Sequence, residues 1–429
     1  MLNESVSRHL AACCPRECGK TMNPHHTAPA AVNPRHASTL RRHTVLRIIA
    51  LGAAALLLFV GTGVATAYFT FNGNLKSADV TSLLGERPTQ APAPPGDPSA
   101  GLPQNILLLG SDTRSGDNAA IGGANGGMRS DTSIIIHISA DRSRVELISI
   151  PRDSWVKIPS CLRSDGTKSA PATTKFNAAF AYGAQSGSVS DAAACTIKTV
   201  ESLTHVLIND FVVVDFTGVV DMVNALGGVP MCIPNNMSSP DSGLNVKAGF
   251  QTLDGKTAIA FARARKGPGL GDGSDTGRIT RQQDLLGATL RQAQSKNLLT
   301  DAGALYKFLN AATSSLTLSP GLASIPKLVG LAYSLRGLQA KDVTFVTVPW
   351  RPLPADPNNV EWLPAADTIW ANLNADRPVN QVPGKTGATT APTTGAGTAA
   401  TPGSTPAGTP SPVTTAGTTA ALNPASVCG

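Results

Sequence analysis

Four arginines, Arg263, Arg265, Arg278 and Arg281, fall within nineteen residues of the segment Phe261-Ala-Arg-Ala-Arg-Lys-Gly-Pro-Gly-Leu-Gly-Asp-Gly-Ser-Asp-Thr-Gly-Arg-Ile-Thr-Arg-Gln-Gln283. Arg263 and Arg265 are two apart and point the same way in an extended chain. Arg278 and Arg281 are three apart at the start of a helical pattern, so they share a face. A glycine-rich loop joins the two pairs and lets them fold toward each other. Converging guanidiniums suit a multiply charged oxyanion, a phosphate or a carboxylate cluster, which their planar forks grip with paired hydrogen bonds. Surface ion pairing is the alternative for either pair alone. Two pairs flanking a flexible loop, in a chain with only 15% charged residues, favour the oxyanion.

Three more clusters combine arginine with aspartate: Gly110-Ser-Asp112-Thr-Arg114, Arg129-Ser-Asp131-Thr132 and Pro151-Arg152-Asp153. One such cluster usually means an ion pair at a loop. Three around one sheet suggest a site. The Asp112 and Asp131 carboxylates are hard oxygen ligands that suit Mg²⁺ (or Mn²⁺), an ion that keeps waters and phosphate oxygens in its shell. Arg129 and Arg152 add to the arginine set. Metal and arginines together equip a protein for phosphoryl transfer, which needs positioning and charge neutralisation. Asp153 is either a base or an orienter of Arg152, and Lys175 in Lys175-Phe-Asn177 offers a further cation. No Walker A sequence occurs, which argues against a nucleoside-triphosphate site. His137, inside a strand, and His205, late on a helix, read as structural.

The elements that must hold these groups alternate. Asn105–Gly110, Ser133–Ile138, Arg144–Ile150, Phe211–Phe216 and Val343–Val348 are apolar runs bounded by turn residues and read as buried strands. Asp191–Leu207, Val219–Leu226, Ile279–Asn297 and the apolar stretch 302–335 read as helices. The expected fold class is α/β: a central mixed β-sheet flanked by helices, in a single exported domain behind one N-terminal transmembrane helix. The expected boundaries are a basic, disordered cytoplasmic arm at 1–47, a transmembrane helix at 48–71, a stalk at 72–103 and a catalytic domain at 104–377. Residues 378–429 are nearly all Thr, Ala, Gly, Pro and Ser and read as a disordered tail.

No charged residue interrupts Ile48–Phe71, long enough to cross a bilayer. Arg35, Arg41, Arg42 and Arg47 precede it and only Lys76 follows closely, so the positive-inside rule leaves the arm in the cytoplasm and sends the rest out of the cell. The arm holds seven Lys/Arg against two Glu, so most of the formal net charge of +7 belongs to it. The basic balance therefore points to anionic lipid near the arm and not to nucleic acid. Cys13, Cys14 and Cys18 lie in the arm; Met22 is an alternative start that would remove them. Cys161, Cys195 and Cys232 fall in the exported domain, where disulfides persist. Cys161–Cys195 is the favoured pair, with Cys232 an open alternative as partner. Cys428 is uninterpreted.

In order, Asn105-Ile-Leu-Leu-Leu-Gly-Ser-Asp-Thr-Arg114, Arg129-Ser-Asp-Thr-Ser-Ile134, Ile150-Pro-Arg-Asp-Ser154, Lys175-Phe-Asn-Ala-Ala179, Val214-Asp-Phe-Thr-Gly-Val-Val220, Leu253-Asp-Gly255 and Arg278-Ile-Thr-Arg-Gln-Gln283 resemble the LytR-CpsA-Psr family of membrane-anchored cell-wall enzymes. The ordered set, covering roughly residues 104–300, is specific where no single block is. The resemblance implies a phosphotransferase, or glycopolymer–peptidoglycan ligase. Such an enzyme takes a glycopolymer from a polyprenyl-pyrophosphate carrier and joins it by a phosphodiester to the 6-hydroxyl of a muramyl sugar in peptidoglycan. It implies Asp112 and Asp131 as Mg²⁺ ligands, and Arg152, Arg263, Arg265, Arg278 and Arg281 as pyrophosphate binders with Gln283 beside them. It also implies an apolar groove for the polyprenyl tail, with the 302–335 region among its candidate walls. The composition suits an actinobacterial wall. A lipid-pyrophosphate hydrolase and a non-catalytic wall-binding or regulatory membrane protein are the competing readings.

Overall fold

The computed structural model describes residues 35–89, 101–113, 118, 128–271, 275–294, 301–381 and 428; the arm before residue 35, part of the stalk and nearly all of the tail lie outside the described residues. The chain divides into two units, residues 1–63 and 64–429. Helix α1 (Arg35–Asn74) runs through the boundary, and its stretch Arg42–Asn74 is long and apolar enough to cross a membrane.

In the second unit β1 (Lys76–Ser77) and α2 (Thr81–Leu84) come first, followed by β2 (Gln104–Ser111), β3 (Ser130–Ile138) and β4 (Val145–Ser149). A hairpin of β5 (Trp155–Ile158) and β6 (Ala172–Lys175) leads into α3 (Ala178–Gly183) and α4 (Val189–Thr204). After β7 (Asp210–Val214) and α5 (Phe216–Ala225) come β8 (Val229–Ile233), β9 (Met237–Ser239), β10 (Leu244–Val246) and β11 (Gly249–Leu253). Next are α6 (Gly255–Arg263), α7 (Asp275–Ala293), α8 (Ala302–Ser315), β12 (Leu316–Leu318) and α9 (Ile325–Ser334). β13 (Val343–Thr347), the hairpin of β14 (Trp350–Leu353) and β15 (Asp356–Trp362), and α10 (Ala365–Asn374) complete the unit.

The main sheet has the order β1-β12-β7-β2-β3-β4-β13. β2 runs antiparallel to β3 and parallel to β7, and β13 runs parallel to β4, so the sheet is mixed as expected. Both faces are covered, which is why its strands read as unbroken apolar runs. Leu107, Leu109, Ile135 and Ile148 face a core completed by Val200 of α4 and Trp370 of α10. Ile106, Ile134, Ile138 and Leu147 face the other way, against Leu318, Leu322 and the inner side of α9. Each of these buried aliphatic side chains contributes about 1.5–3 kcal/mol of transfer free energy.

Five boundaries differ from the sequence expectations. The apolar helix is longer than 48–71: α1 begins at Arg35, so the end of the arm expected to be disordered is helical, and it runs on to Asn74. The stalk is partly domain: β1 adds an edge strand to the main sheet by pairing with β12, and Ala78, Val80 and Leu84 are buried in the core. Its polar stretch disguised three apolar residues at irregular spacing. The 302–335 helix is two helices, because Leu316-Thr317-Leu318 leaves the helix to pair with β7 before Pro320. The strand expected at Phe211–Phe216 stops at Val214, since the Asp215 carboxylate caps α5 by accepting from the Gly218 N–H at 2.8 Å. At the other end, order continues past residue 377: Val379 is buried and its N–H donates to Glu146 Oε1 at 2.9 Å.

The Cys161–Cys195 disulfide is present and ties the β5–β6 hairpin to α4. Cys232 pairs instead with Cys428, which sequence reasoning leaves uninterpreted. His137 is fully buried between Asn105 and Asp376, a structural position as expected.

Arg87, from the former stalk, tests whether that segment belongs to the fold. Its guanidinium meets both carboxylate oxygens of Glu201, which is 4% exposed and also accepts the Ile208 N–H at 2.9 Å. Arg87→Ala leaves that carboxylate buried with one cation fewer. We expect a loss of about 2 kcal/mol in urea unfolding of the full chain. Unchanged stability would return the segment to the role of a linker.

Candidate active site

One end of the main sheet gathers most of the chemistry. β2 and β7 run parallel and end there, β4 also ends there, and the antiparallel β3 begins there. The β2–β3 ladder shifts register so that Gly110 faces Thr132 while Ser111 faces Ser130, which makes Asp131 the extra residue of a bulge. A bulge re-aims a side chain. Asp131 lines a polar cavity of about 330 Å³ together with Asp112, Arg129, Arg152, Asp241, Ser242, Arg263, Arg265 and Arg278.

The turn after β4 is held by three backbone hydrogen bonds from two segments. The Arg152 carbonyl accepts from Asn177 N–H at 3.1 Å, the Ser154 carbonyl from Phe176 N–H at 2.8 Å, and the Asp153 carbonyl from Val360 N–H at 3.0 Å. Arg152 therefore stands on fixed backbone. Its Nη1 lies 2.5 Å from Asp131 Oδ1, and Arg278 Nη1 lies 3.7 Å from Asp131 Oδ2. Burial pushes the Asp131 carboxyl up, but Arg152 and Arg278, with Arg265 behind them, outweigh it and hold it below the usual carboxylate range. Asp131 is thus a carboxylate kept ionised by its neighbours.

Asp153, 8% exposed, is absent from the cavity wall and sits behind it. It takes Lys175 Nζ at 2.8 Å, Arg152 Nε at 3.5 Å and Arg265 Nη2 at 3.7 Å. That arrangement orients cations. Lys175 is likewise off the wall, held between Asp153 and the Asn358 carbonyl. Asp112 sits directly after β2, paired through its backbone with Arg129 at 2.9 Å, and its carboxylate accepts the Arg129 N–H.

Arg263 closes α6, and its guanidinium lies 4.6 Å from the centre of the Phe216 ring. Arg278, in the first turns of α7, is 2% exposed yet faces the cavity. Arg281 shares its helix with Arg278 but does not reach the cavity: it donates to the Ala264 carbonyl, the residue between Arg263 and Arg265. Burial lowers the Arg281 pKa against the pull of Asp284. A guanidinium satisfied by a backbone carbonyl is a brace for the two arginines that flank it. Gln283 also turns away, its amide donating to Ser149 and Thr347 on β4 and β13, because the 3.6-residue turn carries it to the sheet side of α7. Gln282, its neighbour, lines a groove instead. Arg114 lies outside the described residues.

Asp241 and Ser242 were not foreseen. They sit in the turn between β9 and β10, and Pro240-Asp-Ser-Gly243 reads in isolation as nothing more than a turn. The glycine-rich loop brings them in. A Cβ at Gly267 would stand 2.0 Å from the Ser238 carbonyl and one at Gly269 2.0 Å from that of Asn236, and both glycines have positive φ. Only glycine permits that loop to lie flat on the hairpin.

Five arginines and three aspartates line the polar cavity, a surplus of two positive charges. Beside it runs an apolar groove of about 320 Å³ between the sheet and helices α5, α6 and α7, with Val212, Phe216, Val219, Ile259 and Leu285 in its wall. The two spaces share Asp131, Arg263 and Arg278. The 302–335 region gives the groove only Leu316, a correction with a topological cause: α8 packs behind α5, and α9 covers the sheet elsewhere. Among the described residues no group of three His, Cys, Asp or Glu is placed to hold a metal ion. Asp112 and Asp131 give two carboxylates in one cavity, a donor set that fits a Mg²⁺ ion completed by waters and a bound phosphate.

A model of the LytR_cpsA_psr family matches residues 67–375. The chain is 31% identical over 239 residues to the probable cell wall biosynthesis protein LcpB of Corynebacterium glutamicum, covering 54% of this chain and 52% of that protein. It is 28% identical over 324 residues to the polyisoprenyl-teichoic acid–peptidoglycan teichoic acid transferase TagV of Bacillus subtilis, covering 74% of each. With LcpB, and with a TagU of Oceanobacillus iheyensis covered to 56%, the match spans about half the length of the relative. Among solved structures, a LytR-Csp2A-Psr enzyme from Actinomyces oris shares the fold, with TM-score 0.50 at 18% identity over 70% of this chain and 96% of that one.

The geometry separates gripping arginines from bracing ones. Arg281→Ala should lower stability by about 2 kcal/mol through the lost buried hydrogen bond. It should leave inorganic diphosphate binding by the folded protein within about tenfold. Arg265, with 42% of its side chain exposed, should behave oppositely: Arg265→Ala changes stability by under about 0.5 kcal/mol and weakens diphosphate binding more than Arg281→Ala does. Calorimetric titration beside urea unfolding reads both, and the reverse pattern would overturn the division.

Proposed function

The chain belongs to the LytR-CpsA-Psr family, and on that premise we propose that it is a membrane-anchored phosphotransferase. It would move a glycopolymer from a polyprenyl-diphosphate carrier to a hydroxyl of peptidoglycan. One observation carries the reading: an arginine-rich cavity with surplus positive charge adjoins an apolar groove, the two sharing Asp131, Arg263 and Arg278 in their linings. A donor that is a dianionic diphosphate at one end of a long hydrocarbon matches both spaces at once. The names of the relatives, a teichoic acid transferase and a cell wall biosynthesis protein, point the same way.

In this reading the polyprenyl chain lies along Val219, Ile259 and Leu285, and the diphosphate lies among Arg152, Arg263, Arg265 and Arg278. The 6-hydroxyl oxygen of the muramyl acceptor bonds to the sugar-side phosphorus. The bridging P–O bond breaks, the hydroxyl proton passes to solvent water, and polyprenyl monophosphate leaves. Negative charge grows on that leaving phosphate. Guanidiniums held in advance by Asp131 and Asp153 meet it without reorganisation, the condition under which electrostatic stabilisation is largest. Asp112 and Asp131 would hold a Mg²⁺ or Mn²⁺ ion, which when bound neutralises phosphate oxygens. Asp153 acts as a positioning residue for Arg152, Arg265 and Lys175. The protein stands in the cell membrane by α1, with its N-terminus in the cytoplasm and its catalytic unit on the wall side.

The test uses full-length protein in lipid vesicles with a polyprenyl-diphosphate-linked oligosaccharide, peptidoglycan fragments and Mg²⁺, and follows the acceptor by mass spectrometry. A phosphosugar adduct is expected, lost with EDTA and reduced at least about 100-fold by Arg152→Ala. Lipid monophosphate released beside an unmodified acceptor would make the protein a hydrolase. An untouched donor would leave a binding role.

A further inference from the structure

Helix α9 is apolar on both faces. Leu328, Leu331 and Leu335 pack inward in the cluster that contains Ile106, Ile134 and Leu318 of the sheet. On the outer side Val329 and Tyr333 are 60% and 64% exposed. A helix on a water-facing surface carries polar residues on its outer stripe. Here that stripe is Pro326, Val329, Gly330, Ala332 and Tyr333, with Lys327 and Arg336 at its two ends. The Arg336 guanidinium lies 3.8 Å from the centre of the Tyr333 ring.

The same side of the unit receives the end of the apolar helix. Phe71, in the last turn of α1, stacks on Tyr306 of α8 with ring centres 5.1 Å apart, and the Asn74 amide donates to Asn310 Oδ1 at 3.0 Å. Leu75, the next residue, belongs to the cluster that α9 covers. A span that leaves the bilayer near Asn74 brings α8 and α9 to the level of the lipid headgroups. Tyr306 and Leu309 are 43% and 37% exposed there. Residues 302–341 contain Lys307, Lys327, Arg336 and Lys341 and no acidic residue. Exposed aliphatic and tyrosine side chains edged by cations are the pattern of a helix lying in an anionic lipid interface.

The geometry points to α9, with the outer side of α8, as a second membrane contact that lies in the headgroup layer of an anionic bilayer. It rests on the membrane-anchored part of the proposed function and not on the reaction. The contact would fix the tilt of the unit on its span. Ile134, Leu286 and Leu316 belong both to the cluster under α9 and to the wall of the apolar groove, so the same contact would hold the groove close to the lipid that supplies it.

Photo-crosslinking in the full-length chain tests this, in vesicles of phosphatidylglycerol and phosphatidylethanolamine. p-Benzoylphenylalanine replaces Val329, or Leu57 inside the span, or Thr173 on the exposed part of β6. Lipid adducts are expected at 329 and 57 and not at 173. The pair Lys327→Gln and Arg336→Gln should lower the yield at 329 by about fivefold for each cation removed. An unchanged yield would overturn the role given to the cations. Adducts at 57 without adducts at 329 would overturn the second contact and leave the anchor standing. No lipid adduct at either position would overturn both. A crosslink from 329 to a second copy of the chain, or equal lipid yields at 173 and 329, would also overturn it.

Discussion

Guanidinium groups gathered in one cleft repel each other and lose hydration, so a site of this kind exists only where carboxylates hold it together. Asp131 and Asp153 do that from opposite sides of Arg152. Asp131 binds Arg152 and Arg278, and Asp153 binds Arg152, Arg265 and Lys175. The two acids do not neutralise the cluster, and its remaining surplus is what an anionic ligand meets. Arg278 shows the balance most clearly. Its side chain is almost fully buried, and burial of a cation is tolerated only beside an anion. The rest of the fold can be read as the framework that keeps these few charges apart by a fixed amount.

That framework is stiff where the charges attach. A bulge at the start of β3 re-aims Asp131, backbone hydrogen bonds from the 176–177 loop and from β15 fix the Arg152 turn, and Arg281 braces the segment that carries Arg263 and Arg265. Gly267 and Gly269 let their loop press on the β9–β10 hairpin and so carry Asp241 to the cavity. Each device limits motion of a charged group, and the sum is an electrostatic environment arranged before any ligand arrives.

Polar and apolar spaces adjoin and share Asp131, Arg263 and Arg278 in their linings. Arg263 illustrates how: its guanidinium faces the cavity while the Phe216 ring beneath it belongs to the groove. The groove lies on the side of the sheet where Leu75 packs directly after α1.

The apolar runs at 105–110, 133–138 and 343–348 were legible as strands because both faces of the sheet are buried, and burial writes itself as composition. The arginine and aspartate clusters were legible because those residue types cost much to hide and are kept for charge. Sequence by itself therefore determined the α/β class, the apolar span and most of the groups around the cavity. Direction was decided in three dimensions. Arg278 and Arg281 share a helix face, yet Arg278 meets the cavity while Arg281 donates to the Ala264 carbonyl, a choice set by the packing of α7 against the end of α6 that no local pattern encodes. Gln283 and Gln282, adjacent on α7, divide between the sheet and the groove. Cys428 and the strand pairing of Lys76–Ser77 depend on partners far along the chain, Cys232 and Thr317 among them, and Asp241 reaches the cavity only in the folded arrangement. Contacts of that length are set by how the elements pack, and only the tertiary structure holds that information.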